Sequence, residues 1–223
     1  TTPDLAQNDG RSSTVRVVTD LCNATGSEAT FRLQTDVVDA EGRTVASVTG
    51  DYKIASGASV QADQTTPTVE QPICWSPEQP YLYKVVSTLS RKGRMLDRTE
   101  TVLGFRWMEW TADKGFFLNG KHLYLRGANV HQDHAGWGDA VTEAGMWRDV
   151  RMMKEAGFDF IRGSHYPHSP AFVEACDREG MLFWSENAFW GIGGFRADGY
   201  WNASAYPVEA EGRAGFDRSV KTQ

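Results

Sequence analysis

The sequence predicts an antiparallel β-sandwich of immunoglobulin type over residues 1–111. The opening β/α units of a parallel, eight-stranded type of barrel follow over residues 112–223. Three observations carry this reading. Short alternating strands separated by Gly, Asp and Asn turns fill the first half. A β-α-β-α-β pattern with short links, the mark of parallel strands joined by right-handed crossovers, occupies the second. Polar and titratable residues also gather where each strand of that pattern ends.

In the sandwich, Thr14–Thr19 and Phe31–Val38 alternate, and Glu41-Gly42 turns the chain into Val45–Val48. Ser59–Ala62 is a weaker strand. Tyr81–Leu89 alternates strongly up to an Arg91-Lys92-Gly93 turn, and Thr99–Trp107 returns. Pro67, Pro72, Pro77 and Pro80 break the segment between strands, as suits an extended connection. Trp107–Gly115 links the two parts, and Leu118-Asn119-Gly120-Lys121 is a tight hairpin. The sandwich offers no catalytic pair.

The second half begins with an apolar strand, Leu123–Val130. A helix follows with Thr142 as N-cap, Met146, Val150 and Met153 on one face, and Gly157 as the stop. Strand Phe158–Gly163 leads to a helix announced by Ser169 and Pro170 and closed at Gly180. A third strand, Met181–Ser185, precedes a long loop from Asn187 to about Ala214 that is rich in Gly and aromatics. Phe216–Gln223 opens another helix. Two and a half β/α units fall well short of the ~250 residues of an eight-fold barrel. The expectation is therefore a piece of a larger protein, in preference to a small open sheet completed by something else.

All strand C-termini of a parallel unit lie on one side, and in a barrel that side carries the chemistry. The first strand delivers Asn129, His131, Asp133 and His134, the second Arg162, Ser164 and His165, and the third Glu186 and Asn187, with Trp137, Trp184 and Trp190 nearby. One strand-end His or Arg alone is more often structural, but three polar strand ends together read as a site. A metal alternative would use His131, Asp133, His134 and His165 around zinc.

Composition narrows the partners. A formal net charge of −6 without a basic stripe argues against nucleic acid and anionic membranes. No apolar run approaches the ~20 residues that span a bilayer. Three cysteines are too few for a disulfide framework. Cys22 and Cys74 could pair, though free thiols are favoured, and the compartment stays open between export to the periplasm or medium and the cytoplasm. Asn23-Ala-Thr and Asn202-Ala-Ser fit the short glycosylation sequon.

Taken in order, seven motifs resemble glycoside hydrolase family 2, most closely its β-galactosidase-like members. They are Trp75-Ser-Pro-Glu-Gln-Pro-Tyr-Leu-Tyr83, Gly104-Phe-Arg106, Phe117-Leu-Asn-Gly-Lys121, Arg126-Gly-Ala-Asn-Val-His-Gln-Asp-His134, Arg162-Gly-Ser-His-Tyr-Pro167, Cys176-Asp-Arg-Glu-Gly180 and Ser185-Glu186. The resemblance implies an immunoglobulin-like domain followed by a (β/α)8 TIM barrel, and a retaining, exo-acting hydrolysis of terminal sugars by two carboxyl groups. It also implies that the catalytic acid/base and nucleophile lie outside this chain. Glu186 is then a supporting carboxylate, and Asn129, His131, Arg162, His165, Glu186 and Asn187 contact or orient the sugar. Some members hold magnesium after the third strand, but Asn187-Ala-Phe-Trp-Gly-Ile lacks those ligands, so no cofactor and no metal site are expected. The partner expected is a carbohydrate substrate, with the oligomeric state open. The alternative is a non-catalytic carbohydrate-binding or scaffold module.

Overall fold

The computed structural model describes residues 4–187 and 210–221. The chain divides into two compact units, Thr1–Tyr124 and Leu125–Gln223. The first begins with α1 (Asp4–Gln7), followed by β1 (Ser12–Ser13), β2 (Arg16–Cys22), β3 (Ala29–Val38), β4 (Thr44–Ile54), β5 (Ser59–Thr65), β6 (Val69–Glu70), β7 (Tyr83–Arg91) and β8 (Arg94–Leu103). A meander of β9 (Met108–Thr111), β10 (Gly115–Leu118) and β11 (Lys121–His122) ends it.

A four-stranded sheet of order β4-β3-β7-β8 and a two-stranded sheet of β2 and β5 make the sandwich. The alternation in β3 buries Ala29, Phe31, Leu33, Thr35 and Val37 on one face. Phe31 and Leu33 pack with Leu21 of β2 and Ala62 of β5. The Thr35 hydroxyl donates to Gln64 at 2.8 Å, so a polar bond is satisfied inside the core. Both expected hairpins form. Lys92 and Gly93 have φ of 51° and 76°, and Asn119 and Gly120 have 52° and 74°. Such consecutive positive φ values are what two-residue hairpin loops require.

Asn23 is only 1% exposed, and its amide donates to the carbonyls of Ser27 and Ile54, so its sequon serves the fold. The three cysteines are free thiols: Cys22 is exposed, Cys74 half-buried and Cys176 buried.

The second unit contains β12 (Gly127–Val130), α2 (Glu143–Glu155), β13 (Phe160–Gly163), α3 (Pro170–Glu179), β14 (Leu182–Ser185) and α4 (Ala210–Lys221). The strands pair in parallel in the order β12-β13-β14, an open start of a barrel sheet among the described residues. Thr142 caps α2 by accepting from the Gly145 N–H, and Ser169 caps α3 by accepting from Ala171. Gly180 ends α3 in the left-handed conformation. Met146 and Val150 of α2, Phe172, Ala175 and Cys176 of α3, and Ile161 of β13 form one core with Met181.

Several boundaries differ from expectation: the expected link Trp107–Gly115 holds β9, which pairs with β10, and three further differences have a clear physical reason. The strand expected from Leu123 begins only at Gly127. Residues 123–126 have no parallel partner, because β13 starts at Phe160 opposite Gly127, and the Arg126 N–H is taken by the Asp159 carboxylate at 2.7 Å. Strand β8 starts at Arg94, five residues before the expected Thr99, because the tight turn returns the chain at once into pairing with β7. Helix α4 starts at Ala210 rather than Phe216; Ala210 and Glu211 are good helix formers. Most of the expected aromatic loop, Trp190 included, lies outside the described residues. Among those residues no helix is long and apolar enough to cross a membrane.

Candidate functional site

Register decides which side chains meet. Asn129, Arg162 and Trp184 stand opposite one another across the three strands, and the neighbouring residues Ile161 and Phe183 pack in the helix-side core. Side chains alternate along a strand, so Asn129, Arg162 and Trp184 share the face turned away from α2 and α3. Just past the strand ends come His131, His165 and Glu186.

Arg162 is the hub. Its Nε donates to Glu186 Oε1 at 2.6 Å, and its NH1 donates to Asn129 Oδ1 at 3.2 Å. Its NH2 lies 3.3 Å from His165 Nδ1, and that same nitrogen lies 3.2 Å from Glu186 Oε2. One ring nitrogen cannot accept from Arg162 and donate to Glu186 at once. A lone pair on Nδ1 would face the carboxylate lone pairs, a direct repulsion, whereas a proton there satisfies Oε2. Arg162 keeps its other bonds in either case. The network therefore puts the proton on Nδ1 and the lone pair of the neutral ring on Nε2. The peptide between Ser164 and His165 is cis. The His131 ring meets His165 edge-on at 5.2 Å between centroids, and it lies 5.9 Å from Tyr166.

A second layer fixes the loop that carries His165. The Tyr166 hydroxyl accepts from the Gln132 N–H at 3.0 Å, and Gln132 Oε1 accepts from the Ser169 N–H at 2.7 Å. Buried His168 places one ring nitrogen 3.1 Å from the Tyr166 carbonyl and the other 3.1 Å from the Val130 carbonyl. Burial pulls its pKa below the usual histidine value, which outweighs the two carbonyls that favour the charged ring. Gly163 is required beside it, because a Cβ there would meet the Phe183 ring at 2.5 Å and His168 Nδ1 at 2.9 Å.

Of the residues singled out in the sequence, Asn129, Arg162, His165 and Glu186 join one hydrogen-bonded cluster, and His131 packs against it. Asn187 follows Glu186 and is half-buried. His134 turns away to Arg148, with 2.7 Å between Nε2 and the guanidinium. Among the described residues no three His, Cys, Asp or Glu gather as metal ligands, so the zinc set does not assemble there. Gln132, Tyr166 and His168 were not anticipated. Gln132 lies inside the Arg126–His134 motif and Tyr166 inside the Arg162–Pro167 motif, and His168 follows the second motif directly, so the sequence held all three but gave them no role.

Two family models match the chain: "Glycosyl hydrolases family 2" over residues 1–106 and "Glycosyl hydrolases family 2, TIM barrel domain" over residues 110–213. A putative β-glucuronidase of Formosa agariphila is 33% identical over 83% of this chain and 21% of its own length. A β-galactosidase of Bacteroides ovatus is 33% identical over 80% of this chain and 21% of its own length. The crystal structure of Bacteroides uniformis β-glucuronidase superposes with a TM-score of 0.80 at 33% identity, over 84% of this chain and 23% of that one. The chain thus spans roughly a fifth of the length of the curated relatives it matches.

Proposed function

The chain belongs to glycosyl hydrolase family 2, and from that premise we propose that it supplies part of the sugar-binding wall of a retaining, exo-acting β-galactosidase. The observation that carries this reading is the Arg162 cluster, which brings Asn129, His165 and Glu186 together at three adjacent strand ends.

The chemistry follows from the bonds already made. Asn129 Oδ1 accepts from Arg162, which fixes the amide, and its N–H groups can donate to a sugar hydroxyl. His165 accepts from a hydroxyl through Nε2 when neutral, and its orientation is fixed through Nδ1 by Glu186. His131 stands beside it as the second imidazole of the wall. Held in place before substrate arrives, such groups can strengthen their bonds to hydroxyls as positive charge develops on the sugar ring. Both Glu186 oxygens are engaged, one by Arg162 and one by His165. Glu186 is therefore an anchor, and no residue of this chain is given the acid/base or nucleophile role.

A neutral hexose fits better than a uronic acid, because Arg162, the cation of the cluster, is already paired with a carboxylate. A second reading is a carbohydrate-binding module without turnover, favoured by the engagement of both Glu186 oxygens. The test is to assay the product of the full reading frame on nitrophenyl galactoside and glucuronide, with His165→Ala alongside. Galactoside turnover exceeding glucuronide turnover, with at least a tenfold loss in His165→Ala, is expected. Faster glucuronide turnover would overturn the galactoside assignment. Galactose binding with no turnover would establish the module.

A further inference from the structure

One flank of the sandwich is uncovered. On β7 the inward residues Tyr83, Val85 and Ser87 are buried, and directly across from them on β8 stand Leu103, Thr101 and Thr99. Cross-strand partners share a face of the sheet, so these three look into the sandwich too. Yet Thr99 and Thr101 are exposed and Leu103 is only half-buried. The two layers differ in width: the sheet of β4-β3-β7-β8 has four strands and the sheet of β2 and β5 has two. Beside β2 this leaves a cleft of about 750 Å³, lined by Val15, Val17 and Thr19 on one side and by Val85, Thr101 and Leu103 on the other.

The backbone along the cleft points the same way. The Val15 carbonyl accepts from the Thr66 N–H at 2.9 Å, and the Asn23 N–H donates to the Ala58 carbonyl at 3.0 Å. Bonding direction alternates along an antiparallel ladder, so in β2 it is Val17, Thr19 and Leu21 that turn their N–H and C=O groups toward β5. Arg16, Val18 and Asp20 turn theirs to the opposite side, where β2 has no neighbouring strand among the described residues. A bare edge of seven residues beside an uncovered interior face is a template for one more strand.

The occupant is indicated by the start of the core. Leu5 is fully buried in one cluster with Val15 and Val85, so polypeptide arriving ahead of it reaches the Val15 end of this edge. With the chain spanning about a fifth of the curated relatives' length, further strands of the same polypeptide are the ready source. We propose that the stretch of the full-length protein leading into residue 1 adds to the free edge of β2 as an antiparallel strand and closes the cleft over Leu103 and Thr101. Running beside β2 and then turning back through α1 and β1 makes it antiparallel, and strands consecutive in sequence are neighbours about two-thirds of the time. Its inward residues are small or apolar to meet Val17, Val85 and Leu103, and its outward ones are polar, beside Arg16 and Asp20.

Amide hydrogen exchange on the product of the full reading frame tests this. Exchange at Arg16, Val18 and Asp20 should be slowed on the order of a hundredfold or more relative to unstructured chain, as at Val17 and Thr19. Replacing the stretch ahead of residue 1 by a Gly, Ser and Pro linker of equal length should free the first three amides and leave the other two protected. Fast exchange at Arg16, Val18 and Asp20 in the unaltered protein would mean an open edge and would overturn the proposal. Protection that survives the linker, or that is lost on dilution, would overturn it as well, the second outcome assigning the edge to another copy. Val18→Pro gives a readout independent of the linker, because it removes an N–H that points to the edge and is tolerated only where that edge is free. Its urea midpoint should fall below that of the unaltered protein, and an unchanged midpoint would count against the added strand.

Discussion

Removing Glu186 tests the site most sharply, because two different contacts end on its two oxygens. Arg162 reaches Oε1 at 2.6 Å and His165 Nδ1 faces Oε2 at 3.2 Å. A hydrogen bond to a charged group contributes about 1.5–3 kcal/mol. The Arg162 and Glu186 side chains are 36% and 21% exposed, so solvent screening argues for the lower end. Glu186→Gln can keep an oxygen toward Arg162, but it then turns an NH2 group toward His165. That group needs an acceptor, so the imidazole proton must move from Nδ1 to Nε2. One bond is changed, and about 1.5 kcal/mol corresponds to about a tenfold loss in kcat/KM. Glu186→Ala removes both bonds, for about 3 kcal/mol and on the order of a hundredfold loss. The assay is kcat/KM on a nitrophenyl glycoside with the product of the full reading frame, beside the pH profile of each variant. Glu186→Ala within twofold of the unaltered enzyme would refute a functional role for the cluster. Equal losses in the two variants would refute the division of roles between Arg162 and His165.

Three further outcomes follow from the packing and electrostatics. Phe172 is 3% exposed and its ring lies 5.1 Å from His168 and 5.7 Å from Phe183; Phe172→Ala should cost about 3–5 kcal/mol, read as a lower urea midpoint for the barrel segment, and an unshifted midpoint would contradict the core described. Burial pushes the Asp39 carboxyl up, but the Arg43 N–H, the Arg43 guanidinium and the Glu41 N–H together hold it below the usual aspartate value. A depressed folded-state pKa gives stability that is present above the unfolded value of about 3.9 and is lost as pH falls through the folded one, so Asp39→Asn should flatten the acid limb of stability measured between pH 5 and 2. Burial, with Asp177 adding, pushes the Cys176 thiol up to about 12, so at pH 8 only about one molecule in ten thousand carries the thiolate. A thiol reagent should then modify exposed Cys22 in the native protein and reach Cys176 only on unfolding.

Much of the fold was legible because its signals are local. Thr142 and Ser169 cap their helices within three residues, Gly180 stops α3 by its own backbone conformation, and both two-residue turns are written in their Lys-Gly and Asn-Gly pairs. The missed boundaries depend on partners far away in sequence. The run Leu123–Arg126 reads as strand, yet it joins no sheet, and its last residue is claimed by Asp159, 33 positions on. Pattern alone cannot report whether a neighbour exists.

The same division runs through the site. Strand ends can be counted along the chain, and that was enough to pick out Asn129, Arg162, His165 and Glu186. Gln132, Tyr166 and His168 act across separations of 34 to 38 residues, tying the end of β12 to the loop after β13. Gly163 shows how closely that tie is bound to the core. A single added carbon would strike Phe183, which packs with the helix-side core, and His168, whose ring lies between the Tyr166 and Val130 carbonyls behind the site. No side chain fits there without moving one or the other, so the packing of α3 on the sheet and the placement of His165 are one structural requirement.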